Sequence, residues 1–207
     1  MEKVENNSKW NKYLYPNSDI LINNYNITNN DELQKKEAEV TFEKLVELYT
    51  DPIIGNFDVE HLRIIHKKLF EDIYPWAGNF REVNIAKNNS SFCDYTQIED
   101  SLEYELSLMN KEISIVSNKE ELANLLAEYY VVLLDIHPFR EGNGRTIREF
   151  LREFVIAKTA NYEIDWNLID QKNINEAIAN AKFFRGPIVI EFYKALNKRE
   201  KVNNYAK

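Results

Sequence analysis

Between His137 and Arg148 the sequence reads His-Pro-Phe-Arg-Glu-Gly-Asn-Gly-Arg-Thr-Ile-Arg, placing an imidazole, a carboxylate, a glycine-rich turn and two arginines within twelve residues. Histidine ordinarily titrates near neutrality, so His137 suits a general base. The backbone of Gly142, Asn143 and Gly144, at a helix start, offers N–H groups to an anion, and glycine lets a phosphate come close. Arg145 and Arg148 stand three apart, on neighbouring helical positions, and their guanidinium forks match phosphate oxygens. Glu141 supplies the one carboxylate that a phosphate-bridged Mg²⁺ needs, the rest of its octahedron being water and phosphate oxygen. Each alone has a plainer reading: Gly-Asn-Gly is usually a turn, an interior histidine a satisfied core residue, and Arg145 or Arg148 a solvated partner for Glu141 or Glu149. Their conjunction in this order points to phosphoryl or nucleotidyl transfer.

Two helices must hold this stretch. Leu122, Leu125, Leu126, Tyr129, Leu133 and Ile136 recur at helical spacing, which predicts a buried helix ending at Pro138, with Ser117 and Glu120 as its capping box. Ile147, Phe150, Leu151, Phe154 and Val155 predict a second amphipathic helix from about Arg145, opened by the Gly142-Asn143-Gly144 turn. Upstream, Ala38, Phe42, Leu45 and Tyr49 mark a helix over Asp31–Tyr49, and Asp58 caps the next, which runs to Phe70. Ile98, Leu102, Leu106 and Met109 mark another, and Asn173–Ala181 and Pro187–Lys198 read as two more. Arg81 to Lys87 alternates, with Val83 and Ile85 on one side and Glu82 and Asn84 on the other. The Asn88-Asn89-Ser90-Ser91 turn cluster then suggests a short hairpin with an exposed edge.

The fold class read from these patterns is all-α with one short β-hairpin. At 207 residues and 44% apolar content the chain can bury a core as one domain, residues 31–198. Residues 1–30 read as an irregular, Asn-rich segment packing on it, and 199–207 as a solvated tail. A net charge of −8 argues against direct nucleic-acid binding. Cys93 is the single cysteine, so no intramolecular disulfide forms, and His61, His66 and His137 make no zinc pattern; His61 and His66 read as structural. With no signal peptide and no membrane-spanning apolar run, the protein is expected to be cytoplasmic, or exported as an effector by a route leaving no such mark.

The 137–148 stretch resembles, without a departure, the Fic domain signature His-Pro-Phe-x-[Asp/Glu]-Gly-Asn-Gly-Arg-x-x-Arg. The run Ile65-His66-Lys67-Lys68-Leu69-Phe70 through Tyr74-Pro75-Trp76-Ala77-Gly78 is similar to the family's helix and loop before its flap. The resemblance covers most of residues 10–195. It implies a helical fold and, most often, transfer of AMP from ATP to a hydroxyl of a protein. On that resemblance His137 deprotonates the target hydroxyl and Glu141 holds Mg²⁺ between the α- and β-phosphates. Gly142, Asn143 and Gly144 form the anion hole, Arg145 holds the β-phosphate and Arg148 the γ-phosphate, while Phe139 anchors the core. Base catalysis of this kind contributes about 10²- to 10⁴-fold. The flap, with Val83, Ile85 and Lys87, is expected to register an extended target segment by strand addition, and Lys87 and Asn88 to touch the nucleotide.

Relatives are commonly inhibited by a glutamate in a Ser/Thr-x-x-x-Glu-Gly/Asn helix that pairs with the second motif arginine, here Arg148. In this chain Thr28…Glu32, Ser101…Glu105, Ser117…Glu121 and Thr159…Glu163 have the spacing, but Leu or Ile follows each. The resemblance therefore implies a bacterial toxin held by a separate small antitoxin carrying such a helix. Its expected targets, by analogy alone, are type II topoisomerase subunits. The competing readings are a non-catalytic target-binding module with a vestigial nucleotide site, a Fic enzyme using another nucleotide, and a kinase or AMP-removing enzyme. Intact His137 and Glu141 count against the first.

Overall fold

The computed structural model describes residues 2–3, 8–87, 90–181 and 184–199. Among them the helices, in chain order, are α1 (Ser8–Asn11), α2 (Asn30–Thr50), α3 (Val59–Phe70), α4 (Ile98–Glu112), α5 (Lys119–Ile136), α6 (Asn143–Lys158), α7 (Gln171–Ala179) and α8 (Gly186–Ala195). Strands β1 (Glu2–Lys3), β2 (Ile85–Lys87) and β3 (Ser90–Ser91) form an antiparallel sheet in that order, and β4 (Tyr162–Ile164) pairs with β5 (Leu196–Lys198). The fold is mainly helical with a small hairpin, as the periodicities predict.

The two helices read around the motif form the centre. Leu122, Leu126 and Leu133 of α5 and Ile147, Phe150, Leu151 and Phe154 of α6 have no exposed surface. Each such side chain contributes about 1.5–3 kcal/mol by leaving water. α5 packs against α4, α6 and α8, while α3 packs against α6. The cap of α5 lies one residue later than predicted: the Asn118 side chain accepts the Glu121 N–H, and the Glu121 carboxylate accepts the N–H and hydroxyl of Ser117. Asn caps as well as Ser, so the neighbouring pair wins.

Three other expectations are corrected. On α2 the buried residues are Leu33, Val40, Thr41 and Leu48, whereas Phe42 and Tyr49 are 68% and 67% exposed. The helix turns its less apolar face inward because Glu37 and Thr41 have partners there. The segment before β2 is irregular up to Asn84, so the strand is shorter than the alternation suggested. The last helix stops at Ala195, short of Lys198, since Leu196–Lys198 pair with the strand Tyr162–Ile164.

Under α6 a buried polar network ties the helix to its surroundings. Arg152 bonds Glu149 through both Nε and Nη2 and donates to the Leu48 carbonyl at 3.0 Å. Glu153 accepts from His61 Nε2 at 3.0 Å and from the Ile53 N–H at 3.1 Å. With every charge partnered, burial here does not leave an uncompensated ion. His61 and His66 are both buried and structural, on different sides of α3.

Candidate active site

His137 ends α5 in the left-handed region, with φ 51°, a conformation rare for a non-glycine residue and found at sites under functional constraint. Pro138 follows and forbids another helical turn. The ring nitrogen Nδ1 lies 3.0 Å from the Leu134 carbonyl oxygen. A carbonyl can only accept, so Nδ1 carries the hydrogen, and in the neutral ring Nε2 then holds the lone pair, the tautomer a general base requires. Phe92, just after β3, stacks on the imidazole at 4.0 Å between centroids and 20° between planes.

The turn after His137 is locked by its own side chains. Asn143 accepts the Phe139 N–H and donates to the Phe139 carbonyl, each at 2.8 Å, closing the loop on itself. The Phe139 ring is fully buried and stacks on His66 at 3.7 Å. Gly142 caps α6 at φ 83°, and a Cβ there would collide with the Phe70 ring, so both backbone and space demand glycine. The N–H groups of the first helical turn, Asn143 to Arg145, have no intrahelical acceptor and mark the positive end of the helix. Beside them stands Arg148: a Cβ on Gly144 would meet nothing nearer than Arg148 Nη1, 3.8 Å away. The helix start and the Arg148 fork therefore border one space, suited to an anion. Burial raises the Tyr130 hydroxyl while Arg148, against it, pulls it down.

Arg145 takes a different direction. Its guanidinium is paired with Glu37 of α2, donates to Thr41 Oγ1 at 3.3 Å and lies over the Phe70 ring at 4.8 Å. The other Glu37 oxygen accepts from the Tyr74 hydroxyl, whose pKa is pushed up chiefly by burial and then by Glu37. Glu141 places Oε1 2.9 Å from the Gly142 N–H and borders a cavity of about 790 Å³ on the α2 side, with Trp10, Glu37, Tyr74 and Arg140 among its walls.

Two residues hold this geometry in ways the sequence did not show: Arg81, given no role there, and His66, read only as structural. Arg81 is 1% exposed, yet its guanidinium bonds to backbone carbonyls rather than to a carboxylate. Its guanidinium donates to the carbonyls of His137 and Val83, each at 2.8 Å, of Ile136 at 3.2 Å, and of Cys93, while its N–H donates to the Pro138 carbonyl at 2.9 Å. One cation thus joins the base of the hairpin to the residue carrying the imidazole, and burial lowers it to about 10, still charged at neutral pH. His66 accepts the Gly78 N–H at Nδ1, 2.8 Å, and donates from Nε2 to the Glu141 carbonyl, 3.0 Å. Nothing in the spacing of either residue announces such distant carbonyl partners.

Of the expected hairpin residues, Val83 and Ile85 are 2% and 1% exposed, so their side chains serve the core and only backbone is presented there. Lys87 lies in β2 opposite Ser90. Asn88, expected to touch the nucleotide, falls outside the described residues. No group of three or more His, Cys, Asp or Glu among the described residues could hold a metal by itself.

Against known proteins, the Fic/DOC family pattern matches residues 56–155. Protein adenylyltransferase VbhT of Bartonella schoenbuchensis is 37% identical over 166 residues, 80% of this chain and 34% of its own length, so the chain spans about a third of that relative. The probable protein adenylyltransferase Fic of Escherichia coli is 32% identical over 166 residues, 80% of this chain and 81% of its own. Among solved structures, the N-terminal Fic domain of a putative cell filamentation protein from Bartonella quintana, with bound ADP, superimposes with a TM-score of 0.78 at 30% identity. That match covers 91% of this chain and 95% of that one.

Proposed function

The chain belongs to the Fic/DOC family, and we propose that it transfers AMP from ATP to a hydroxyl side chain of a target protein. The observation that carries this reading is the pairing of an imidazole whose Nε2 is the proton acceptor with a helix start and arginine fork built for phosphate. His137 Nε2 takes the proton of the target hydroxyl as its oxygen attacks the α-phosphorus. The bond to the β-phosphate oxygen breaks in line, and pyrophosphate leaves. The first-turn N–H groups and Arg148 hold the phosphates, Arg148 at the γ-position. Arg145 keeps Glu37 and Thr41 and turns its remaining N–H groups to the β-phosphate. The ADP bound by the Bartonella quintana domain and the names of the two relatives support nucleotide chemistry here.

Glu141, whose carboxylate sits at the start of the phosphate-facing helix turn, would hold Mg²⁺ as a single carboxylate ligand. Bound there, Mg²⁺ would neutralise charge between the α- and β-phosphates. Because Val83 and Ile85 point inward, target registration by strand addition rests on the backbone edge of β2. Lys87 and Asn88 are proposed to flank the nucleotide. We further propose a cytoplasmic toxin whose antitoxin inserts a glutamate against Arg148, with type II topoisomerase subunits as the target by analogy.

Incubating the protein and its His137→Ala variant with Mg²⁺ and ATP radiolabelled at either the α- or the γ-phosphate, in bacterial lysate, tests the reaction. Protein-bound label from the α-position only, absent with the variant, is expected. Label from the γ-position would make the protein a kinase and refute adenylyl transfer.

A further inference from the structure

The hairpin strand β2 has two edges, and neither is vacant. One pairs with β3, while along the other lies β1, antiparallel, with Glu2 opposite Ala86 and Lys3 opposite Ile85. The alternation of an antiparallel ladder fixes which groups face which edge. The Ile85 carbonyl accepts the Phe92 N–H at 3.2 Å, so Ile85 turns its polar groups towards β3, and Ala86 turns its N–H and C=O towards Glu2. The chain therefore already occupies the backbone edge that strand addition would use.

Contacts of the adjoining residues explain why the segment lies there. Trp10 and Tyr13 are 2% and 3% exposed and root it in the core. Lys12 pairs with Glu82, just before β2, and the Glu82 N–H donates to the Tyr13 hydroxyl at 3.2 Å. Lys9 donates to the Tyr95 hydroxyl, just beyond β3, at 3.1 Å. The segment thus straddles the hairpin. The Lys9 and Lys12 contacts are solvent-exposed, and exposed pairs hold weakly. The pairing of β1 with β2 spans two residues, while the anchors Trp10 and Tyr13 lie elsewhere in the core, so β1 can leave its edge without disturbing that core.

We propose that residues 2–3 are an intramolecular occupant of the target-docking edge of β2, so that an extended segment of the target must displace β1 to pair with Ala86. This inference rests on the strand-addition reading above. Its consequence is an apparent target affinity reduced by the fraction of molecules in which the edge is open.

The test compares the wild type with Glu2→Pro/Lys3→Pro, which removes both strand N–H groups while leaving Trp10 and Tyr13 in place. Hydrogen exchange at the Ala86 amide is expected to accelerate by about tenfold or more in the variant, matching the loss of one or two hydrogen bonds. Labelling of lysate protein from α-labelled ATP, at limiting target, is expected to rise by a similar factor. Unchanged exchange would overturn the self-docking itself. Faster exchange with unchanged labelling would overturn the competition, because the target would then dock elsewhere. No label with either protein would defeat the adenylyl-transfer reading, and with it the competition, whereas the exchange result would still decide whether β1 covers the edge.

Discussion

His66 ties three segments together only while its ring is neutral, and this makes stability depend on pH. Protonating Nδ1 would set a second donor against the Gly78 N–H, and the ring is wholly buried between Phe139, Phe70 and Trp76. Burial is the largest cause lowering its pKa from 6.5 to about 3, with Arg145 adding to it and the bond to the Glu141 carbonyl opposing it. Between those values the unfolded chain binds a proton that the folded one refuses, so stability falls by ~1.4 kcal/mol for each unit of acidification. The contribution is complete above 6.5 and disappears as pH falls towards 3. Going from pH ~7.5 to ~5 therefore removes about 2 kcal/mol through His66 alone. Urea unfolding of the wild type and of His66→Gln at both pH values isolates this, since the amide keeps a donor and an acceptor but does not titrate. The variant should start less stable and lose about 2 kcal/mol less on acidification. Equal losses in the two proteins would refute the assignment of a neutral, proton-excluding His66.

Four further outcomes follow from the site. Gly142→Ala should destabilise the fold by about 2–4 kcal/mol, through collision with Phe70 and a positive φ, whereas Gly144→Val should leave the melting temperature nearly unchanged yet abolish its rise with ATP. Arg148→Ala should weaken ATP binding by about 10- to 100-fold in calorimetry, at a cost in stability of about 1 kcal/mol through the Tyr130 hydroxyl that it leaves. Glu37→Ala should cost about 1–3 kcal/mol in urea unfolding, because it strands Arg145 and the Tyr74 hydroxyl together.

The parts legible in the sequence are those governed by local period and local chemistry. The apolar stripes of α5 and α6 predict both helices, and the residue order from His137 to Arg148 announces an anion site with a base beside it. Choices settled by distant partners were hidden. The Phe42 and Tyr49 stripe of α2 reads as a core face, but Glu37 and Thr41 rotate the helix towards Arg145. The pairing of Leu196–Lys198 with Tyr162–Ile164 depends on residues more than thirty positions away, and a three-residue strand has no period of its own. Arg81 looks like an ordinary surface cation until five backbone carbonyls are found around it.

That buried arginine has a thermodynamic corollary. Its donors grip Val83 and Cys93 at the foot of the hairpin and Ile136, His137 and Pro138 around the base. A strain applied at one end cannot relax without being felt at the other. Linkage then works both ways: whatever free energy a ligand on the hairpin spends in shifting the imidazole, a nucleotide seated against that imidazole must return as changed affinity at the hairpin. The size of any such coupling would be a property of this joint, and replacing Arg81 would weaken it while leaving the residues of each end in place.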